Sequence, residues 1–261
     1  KNKSAGAKSH YVLVIGIRKT EPIKGFVKRG DLTLSGKAES LSIKRIKKGN
    51  QLLLVIAGAD SRGLMYALLQ AAQEVEASSN ADALAGISEV SESPHVPVRS
   101  MVVFLHNEDD EKEWYYSKAY WEDYFSMLAA NRWNTFNLVF SHQTSYMAPM
   151  YPFHVKVEKC PGVRVKDFTE EERIRNMEML KFITSLARDR GIDFTLSVWQ
   201  QIAWENSGEF HDTQENMVSG YNRENMTDYT YLAMKEILRE CPGITGLQLR
   251  LNYESGVDYD S

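Results

Sequence analysis

Leu247-Gln248-Leu249-Arg250-Leu251-Asn252-Tyr253-Glu254 alternates apolar and polar side chains, and the reading of that alternation decides the fold. Successive side chains of a strand point to opposite faces. Leu247, Leu249 and Leu251 therefore share one face, and Gln248, Arg250, Asn252 and Glu254 share the other. A helical pattern over 228–240 ends at Pro242-Gly243 just upstream, so the strand belongs to an alternating α/β run. Strands of a parallel sheet are covered on both faces. The leucine face then suits packing under a helix, and the polar face needs a network or a ligand to satisfy it. The alternative is an amphipathic surface strand with a wet polar face.

Three more strand patterns precede it, at 98–105, 135–140 and 192–199. Two more helices lie between them. One spans 116–130, with Tyr120, Tyr124 and Leu128 on one face. The other is opened by a Thr169/Glu172 capping box, carries Ile174, Met177, Ile183 and Leu186, and stops at Gly191. Four strands separated by three helices imply a parallel sheet. Helix-to-strand connections are short. Those after the second and third strands run to roughly 25–30 residues, against a usual 2–6. That asymmetry is the one found in a (β/α)₈ barrel, whose active site is built from the loops after the strands. A doubly wound sheet also binds ligands at strand C-termini, so loop lengths alone leave both folds open. The fold expected is α/β: a small α+β domain over 1–77, a linker over 78–97, and the first four strands of a barrel over 98–261.

The first of these segments reads as apolar runs at 11–17 and 51–57, an alternating run at 40–46, then one helix. Asp60 is that helix's N-cap, and Leu64, Leu68, Ala72 and Val75 recur at helical spacing. Serines, Asn80, Pro94 and Pro97 mark 78–97 as the boundary. The chain has 261 residues, 43% hydrophobic and 25% charged, with a formal net charge of −4. That balance fits a globular protein and argues against nucleic acid or an anionic membrane as partner. Lys44-Arg45-Ile46-Lys47-Lys48 reads as a charged edge strand. Cys160 and Cys241 match no metal or redox spacing and leave the compartment open. No dinucleotide, phosphate-loop or serine-hydrolase motif occurs, and no cofactor is expected.

The chemistry collects at strand ends. His106 and Asn107 follow the first strand and His142 the second. Trp199 closes the third with Gln200 beyond it, and Arg250, Asn252 and Glu254 close the fourth. An aromatic ring beside amides and hydroxyls suits a sugar's apolar face, and a glycosidase needs a carboxyl that protonates the leaving oxygen. Burial would raise the pKa of Glu254 and the Arg250 cation would lower it. His106 with His142 lacks a third ligand, so no metal is expected. A lone rim histidine is equally at home as a structural residue.

Three stretches resemble the α-glucuronidases of glycoside hydrolase family 67 and their relatives. Residues 58–68 (GADSRGLMYAL) look like the end of the accessory domain that precedes the barrel in several glycosidase families, hexosaminidases among them. Residues 127–139 (MLAANRWNTFNLV) are similar to the passage from the first barrel helix to the second strand. Residues 246–255 (GLQLRLNYES) resemble a strand ending in Asn-x-Glu-Gly whose Glu is the general acid, with Arg250 where the family has Lys, Tyr253 for a small residue and Ser255 for Gly. The resemblance implies a hydrolase of an α-linked uronic acid in a plant-type polysaccharide, acting with inversion, with Glu254 as the acid. It covers only the first half of such an enzyme, and the family's water-activating carboxylates lie on later strands. The expected partners are the carbohydrate substrate and either the second half of the barrel or another chain covering the open sheet edge. The expected fragment has no turnover by itself. A glycosidase of this kind would be periplasmic or secreted rather than cytoplasmic. Two other readings remain: a hexosaminidase-like enzyme, whose Asp-Glu pair is replaced here by Tyr253-Glu254, and a non-catalytic carbohydrate-binding protein.

Overall fold

The computed structural model describes residues 11–105, 113–140, 155–165, 168–199, 218–220, 222 and 224–250. The chain divides into two units, Lys1–Pro97 and Val98–Ser261.

The first unit is built on a four-stranded sheet of order β1-β3-β2-β4. Its strands are β1 (Tyr11–Ile17), β2 (Leu41–Lys48), β3 (Gln51–Gly58) and β4 (Val90–Glu92). β1 runs parallel to β3, while β2 pairs antiparallel with both β3 and β4. Period-two alternation sends Leu54 and Ile56 of β3 to one face and Leu53, Val55 and Ala57 to the other, and both faces are covered. Helix α2 (Ser61–Ala77) buries Tyr66, Ala67 and Ala71 against the first, and α1 (Ile23–Arg29) buries Ile23 and Phe26 against the second. The sequence pattern predicts one helix here, and the structure has two. α1 is a short helix ended by Gly30 at φ +80 in the left-handed region that glycine tolerates.

Two further expectations change in this unit. The Ser/Pro-rich stretch 78–97 is not a free linker: it carries a 3₁₀ turn (Ala83–Gly86) and β4, which pairs with Leu41–Ile43 of β2. Ser42 Oγ donates to Val90 O and Ser91 Oγ to Thr33 O, so the serines that look like loop composition satisfy sheet ends. On α2, Leu64 and Val75 of the predicted stripe pack half-buried against the core, while Leu68 and Ala72 turn outward. Leu68 is 37% exposed, and Tyr66, Ala67 and Ala71 take the core. α2 has apolar residues on two sides, and periodicity alone does not choose between them. Asp60 does cap the helix, accepting from Gly63 N at 2.8 Å. Gly58 and Gly63 let β3, α2 and the Glu39–Ser40 backbone meet; a Cβ on Gly58 would lie 2.0 Å from Leu64 N. Beyond Ile43, β2 has β3 on one side and no strand on the other among the described residues, so Lys44–Lys48 is a charged edge as its composition suggests.

The second unit holds a parallel sheet of β5 (Ser100–Leu105), β6 (Thr135–Phe140), β8 (Asp193–Trp199) and β10 (Ile244–Arg250), in the order β10-β8-β6-β5. Helices α3 (Lys118–Ala130), α4 (Glu170–Asp189) and α5 (Met226–Glu240) alternate with these strands. A two-stranded antiparallel pair, β7 (Arg164–Val165) with β9 (Val218–Ser219), joins the segments after β6 and β8. Neighbours in sequence are neighbours in the sheet, with no reversal of strand order among the described residues.

α4 begins at the predicted capping box: Thr169 Oγ1 accepts from Glu172 N, and the Glu172 carboxylate accepts from Thr169 N. It buries Met177, Leu180, Ile183 and Ala187 and leaves Ile174 43% exposed. α3 buries Trp121, Phe125 and Leu128 beneath Phe136 of β6, with edge-to-face ring contacts at 5.0–6.0 Å. Such pairs each add about 0.5–1.5 kcal/mol beyond the area they bury. Tyr120 and Tyr124, predicted for the core face, are instead half-buried beside it, stacked at 5.6 Å.

Candidate functional site

The register of the parallel sheet sorts its side chains into two faces. Phe136, Leu138, Phe194 and Leu196 form the buried face toward the helices. On the other face, rows run across the sheet toward the strand C-termini. The first is Val102–Asn137–Thr195–Gly246 and the next is Phe104–Val139–Ser197–Gln248. Trp199 and Arg250 pair at the following position, the last that the described strands reach.

Three polar side chains on this face form one network across three strands. Asn137 Nδ2 donates to Gln248 Oε1 at 2.6 Å, and the Ser197 hydroxyl lies 2.5 Å from Asn137 Oδ1 and 2.9 Å from Gln248 Oε1. Ser197 is fully buried, Asn137 half-buried and Gln248 exposed. Buried polar atoms without partners cost about 1–3 kcal/mol each, so the network removes a penalty that an isolated Ser197 would carry. In the neighbouring row a Cβ on Gly246 would sit 2.8 Å from Thr195 Oγ1. A register shift between Ile244 and Gly246 sets the phase of everything after it, with Leu247 opposite Leu196 and Gln248 opposite Ser197.

The alternation read from 247–254 therefore holds as far as Leu249: Gln248 lies on the polar face, and Leu247 and Leu249 on the other. Those leucines are not covered by a helix among the described residues. They are 42% and 54% exposed, because β10 is the edge strand on that side. At the opposite edge, Val102 and Phe104 of β5 are 42% and 38% exposed on the network's face.

Of the predicted site residues, Trp199 and Arg250 are register partners on adjacent strands. His106, Asn107, His142, Gln200, Asn252 and Glu254 lie outside the described residues. Asn137 and Ser197 were not among the candidates. Their signal was present in Thr135-Phe136-Asn137-Leu138 and Asp193-Phe194-Thr195-Leu196-Ser197, where polar residues alternate with buried ones as they do in the fourth strand.

The loops that follow β6 and β8 are tied together where they are described. Gly220, at φ +73, approaches Gly162 so closely that a Cβ would lie 2.0 Å from Gly162 O. The buried Tyr229 hydroxyl of α5 donates to Val155 O at 2.8 Å, and Lys159 pairs with Asp228. Between α3 and α4, the Tyr116 hydroxyl donates to Asn176 Oδ1 beneath the Arg175 guanidinium, 4.2 Å from the ring centroid. Burial raises the Tyr116 pKa against the opposing pull of Arg175. Among the described residues no group of three or more His, Cys, Asp or Glu could hold a metal, and no helix is long and apolar enough to cross a membrane.

The two units share their order of elements with solved structures. The particular likeness is to a GH138 enzyme targeting pectin rhamnogalacturonan II, with TM-score 0.62 and 20% identity over 94% of this chain. The chain spans 31% of that enzyme's length. Two further structures superpose less closely. A β-N-acetylhexosaminidase gives TM-score 0.45 at 12% identity, over 88% of this chain and 47% of that one. The GH20 exo-β-N-acetylglucosaminidase of Vibrio harveyi, in complex with N-acetylglucosamine, gives 0.46 at 10%, over 80% and 36%. No family model and no curated protein sequence matches the chain.

Proposed function

We propose that this chain is part of a glycoside hydrolase acting on an α-linked uronic acid or related sugar of a plant-type polysaccharide. Its active site lies at the C-terminal ends of β5, β6, β8 and β10, the first four strands of a (β/α)₈ barrel. The observation that carries this reading is the likeness in fold, over nearly the whole chain, to a pectin-targeting glycoside hydrolase. The sequential strand order supports a barrel over a doubly wound sheet, whose strand order reverses at the ligand site. The two longest loops follow strands, as they do where a barrel builds its site.

In this reading Glu254 protonates the glycosidic oxygen as the bond to the anomeric carbon breaks. A second carboxylate, outside this chain, activates the water that attacks the opposite face of the sugar. Trp199 stacks on the ring, and Arg250, Asn252, His106, Asn107, His142 and Gln200 surround the hydroxyls and carboxylate. The assignment of Glu254 rests on the sequence resemblance. The test is Glu254→Gln in the full-length protein, assayed on uronosyl oligosaccharides. A glycosidase with this acid loses roughly 10²–10⁴-fold in rate on a poor leaving group and keeps its affinity. Equal rates for both proteins would remove Glu254 from the mechanism. Binding with no turnover in the wild type would make the protein a carbohydrate binder instead.

A further inference from the structure

The formal charge of −4 is the sum of two unequal parts. Lys1–Pro97 carries 14 Lys and Arg against 9 Asp and Glu, whereas Val98–Ser261 carries 17 against 26. The cationic excess of the first unit gathers on one side of its sheet. Of the nine acids only Glu21 and Asp31 flank α1; the others are Glu39, Asp60 and the acids of α2 and of 82–92. On the α2 side the arginines have partners. Arg62 pairs with Glu39 at 2.8 Å, and Arg45 donates to Leu84 O and Ala85 O beside Glu89.

The α1 side differs. Lys24 and Lys28 are exposed, one turn apart on α1. Ile46 packs into the cluster beneath α1 and Ile43 into the one beneath α2, so alternation places Lys44 and Lys48 on the α1 side of β2. None of these four lysines has an ion-pair partner among the described residues. The two acids nearby are engaged: Glu21 Oε2 accepts from Gly25 N at 3.1 Å, and Asp31 pairs with Arg29 at 2.8 Å. Edge protection explains charge on β2 but not on a helix. The helix dipole favours Lys28 in the last turn of α1 and disfavours Lys24 in the first. In β1 and α2, the exposed apolar residues Leu13, Ile15 and Leu68 lie on the α2 side and Val12 alone on the α1 side, which is therefore the wetter of the two.

We infer that the α1 side of the first unit is a docking surface for an anionic polysaccharide, a chain of uronic acid units, held through Lys24, Lys28, Lys44 and Lys48. Four residues span about 6 Å along α1 and about 13 Å along β2, so the charges are spread out. Spread charges suit a chain of repeated anions rather than one compact ion. One exposed ion pair shifts binding only a few-fold, so a single sugar acid is not retained here, whereas several on one chain act together. Phe26, the aromatic residue of this side, is 5% exposed. The surface therefore offers neither a stacking platform for bases nor an apolar anchor for a membrane. The inference rests on the proposed action on a uronic acid polysaccharide, and it adds a second place where that polymer is held.

The test is affinity electrophoresis of the full-length protein in native gels containing polygalacturonate, its methyl ester or duplex DNA. The proteins are the wild type, a fourfold Lys→Gln variant at 24, 28, 44 and 48, the matching fourfold Lys→Arg variant, and a Lys47→Gln/Lys235→Gln control. Polygalacturonate should retard the wild type, the methyl ester should not, and salt should abolish the effect. The fourfold Gln variant should bind about tenfold or more weakly, while the Arg variant and the control keep their retardation. Melting temperatures should agree, because the neutralised lysines have no ion pair to lose. Free D-galacturonate at equal carboxylate concentration should not release the protein. Full retardation of the fourfold Gln variant would place the polymer elsewhere and overturn the inference, leaving the glycosidase reading intact. Equal retardation by duplex DNA, or release by free galacturonate, would also overturn it. A wild type that cleaves uronosyl oligosaccharides without being retarded would overturn the inference alone, and one that does neither would overturn both readings.

Discussion

Gly220→Ala tests the tie between the two long loops. Gly220 sits at φ +73, where a non-glycine residue costs about 1–2 kcal/mol. The added Cβ would also lie 2.0 Å from Gly162 O and 2.5 Å from Gly162 C, both backbone atoms, where ordinary contact begins near 3.4 Å. Neither backbone can swing aside as a side-chain tip would. The strands must part instead. β7 and β9 are two residues each, paired Arg164 with Ser219 and Val165 with Val218, and each hydrogen bond given up costs a net ~0.5–1.5 kcal/mol. Strain and lost bonds together come to about 2–4 kcal/mol, more than so short a ladder can hold. The ladder should therefore open locally while β6, β8 and α4 stay folded. Amide hydrogen exchange reads this directly: protection at Arg164, Val165 and Ser219 should fall, and protection in Thr135–Phe140 and Asp193–Trp199 should not. Unchanged exchange at Arg164 and Ser219 would refute the close-approach argument. A loss that spreads through β6 and β8 would refute the claim that the tie is separable from the sheet.

Phe136→Ala should destabilise the second unit by about 3–5 kcal/mol. The ring is fully buried with Trp121, Phe125, Tyr124 and Phe194 around it at 5.0–6.0 Å. Denaturant titration checks the figure, and a loss under about 1 kcal/mol would mean the site collapses to fill the space. Cys241 is fully buried, and burial pushes its thiol up to about 12. It should resist alkylation by iodoacetamide at pH 8 in the native protein and react once the chain is unfolded. Hydrogen bonds from Arg173 and Lys156 hold the exposed Glu170 carboxylate down to about 2 from an ordinary 4.5. A carboxylate with a lowered folded pKa contributes stability above its unfolded pKa and loses it as pH falls through the folded one. The difference in melting temperature between wild type and Glu170→Gln should therefore shrink between about pH 4.5 and 2, and salt should screen it at neutral pH.

The parts of this fold that were legible in sequence are those where one signal acts locally. The Thr169/Glu172 capping box, the Asp60 cap and the period-two strands each follow from residues a few positions apart. What was not legible depended on partners distant in sequence. β4 forms from Val90-Ser91-Glu92 only because β2 offers Leu41–Ile43 an open side. α1 is too short to show helical periodicity, and Ile23 and Phe26 find their core in Leu53, Val55 and Ala57. Leu68 and Ala72 of the α2 stripe fall outside the core because only the sheet beneath decides which of two apolar sides is buried. At the site, alternation in 247–249 located Gln248 correctly. It could not show that Asn137 and Ser197 lie within hydrogen-bonding reach, which requires the register of three strands. Nor could it pair Trp199 with Arg250, which are register partners on adjacent strands.

A crystal of the full-length protein soaked with a uronic acid would test the central claim most directly. The account predicts the sugar at the C-terminal ends of β5, β6, β8 and β10, against the Trp199–Arg250 row. A sugar bound at the N-terminal ends of those strands, or seated on the Lys1–Pro97 unit, would contradict it.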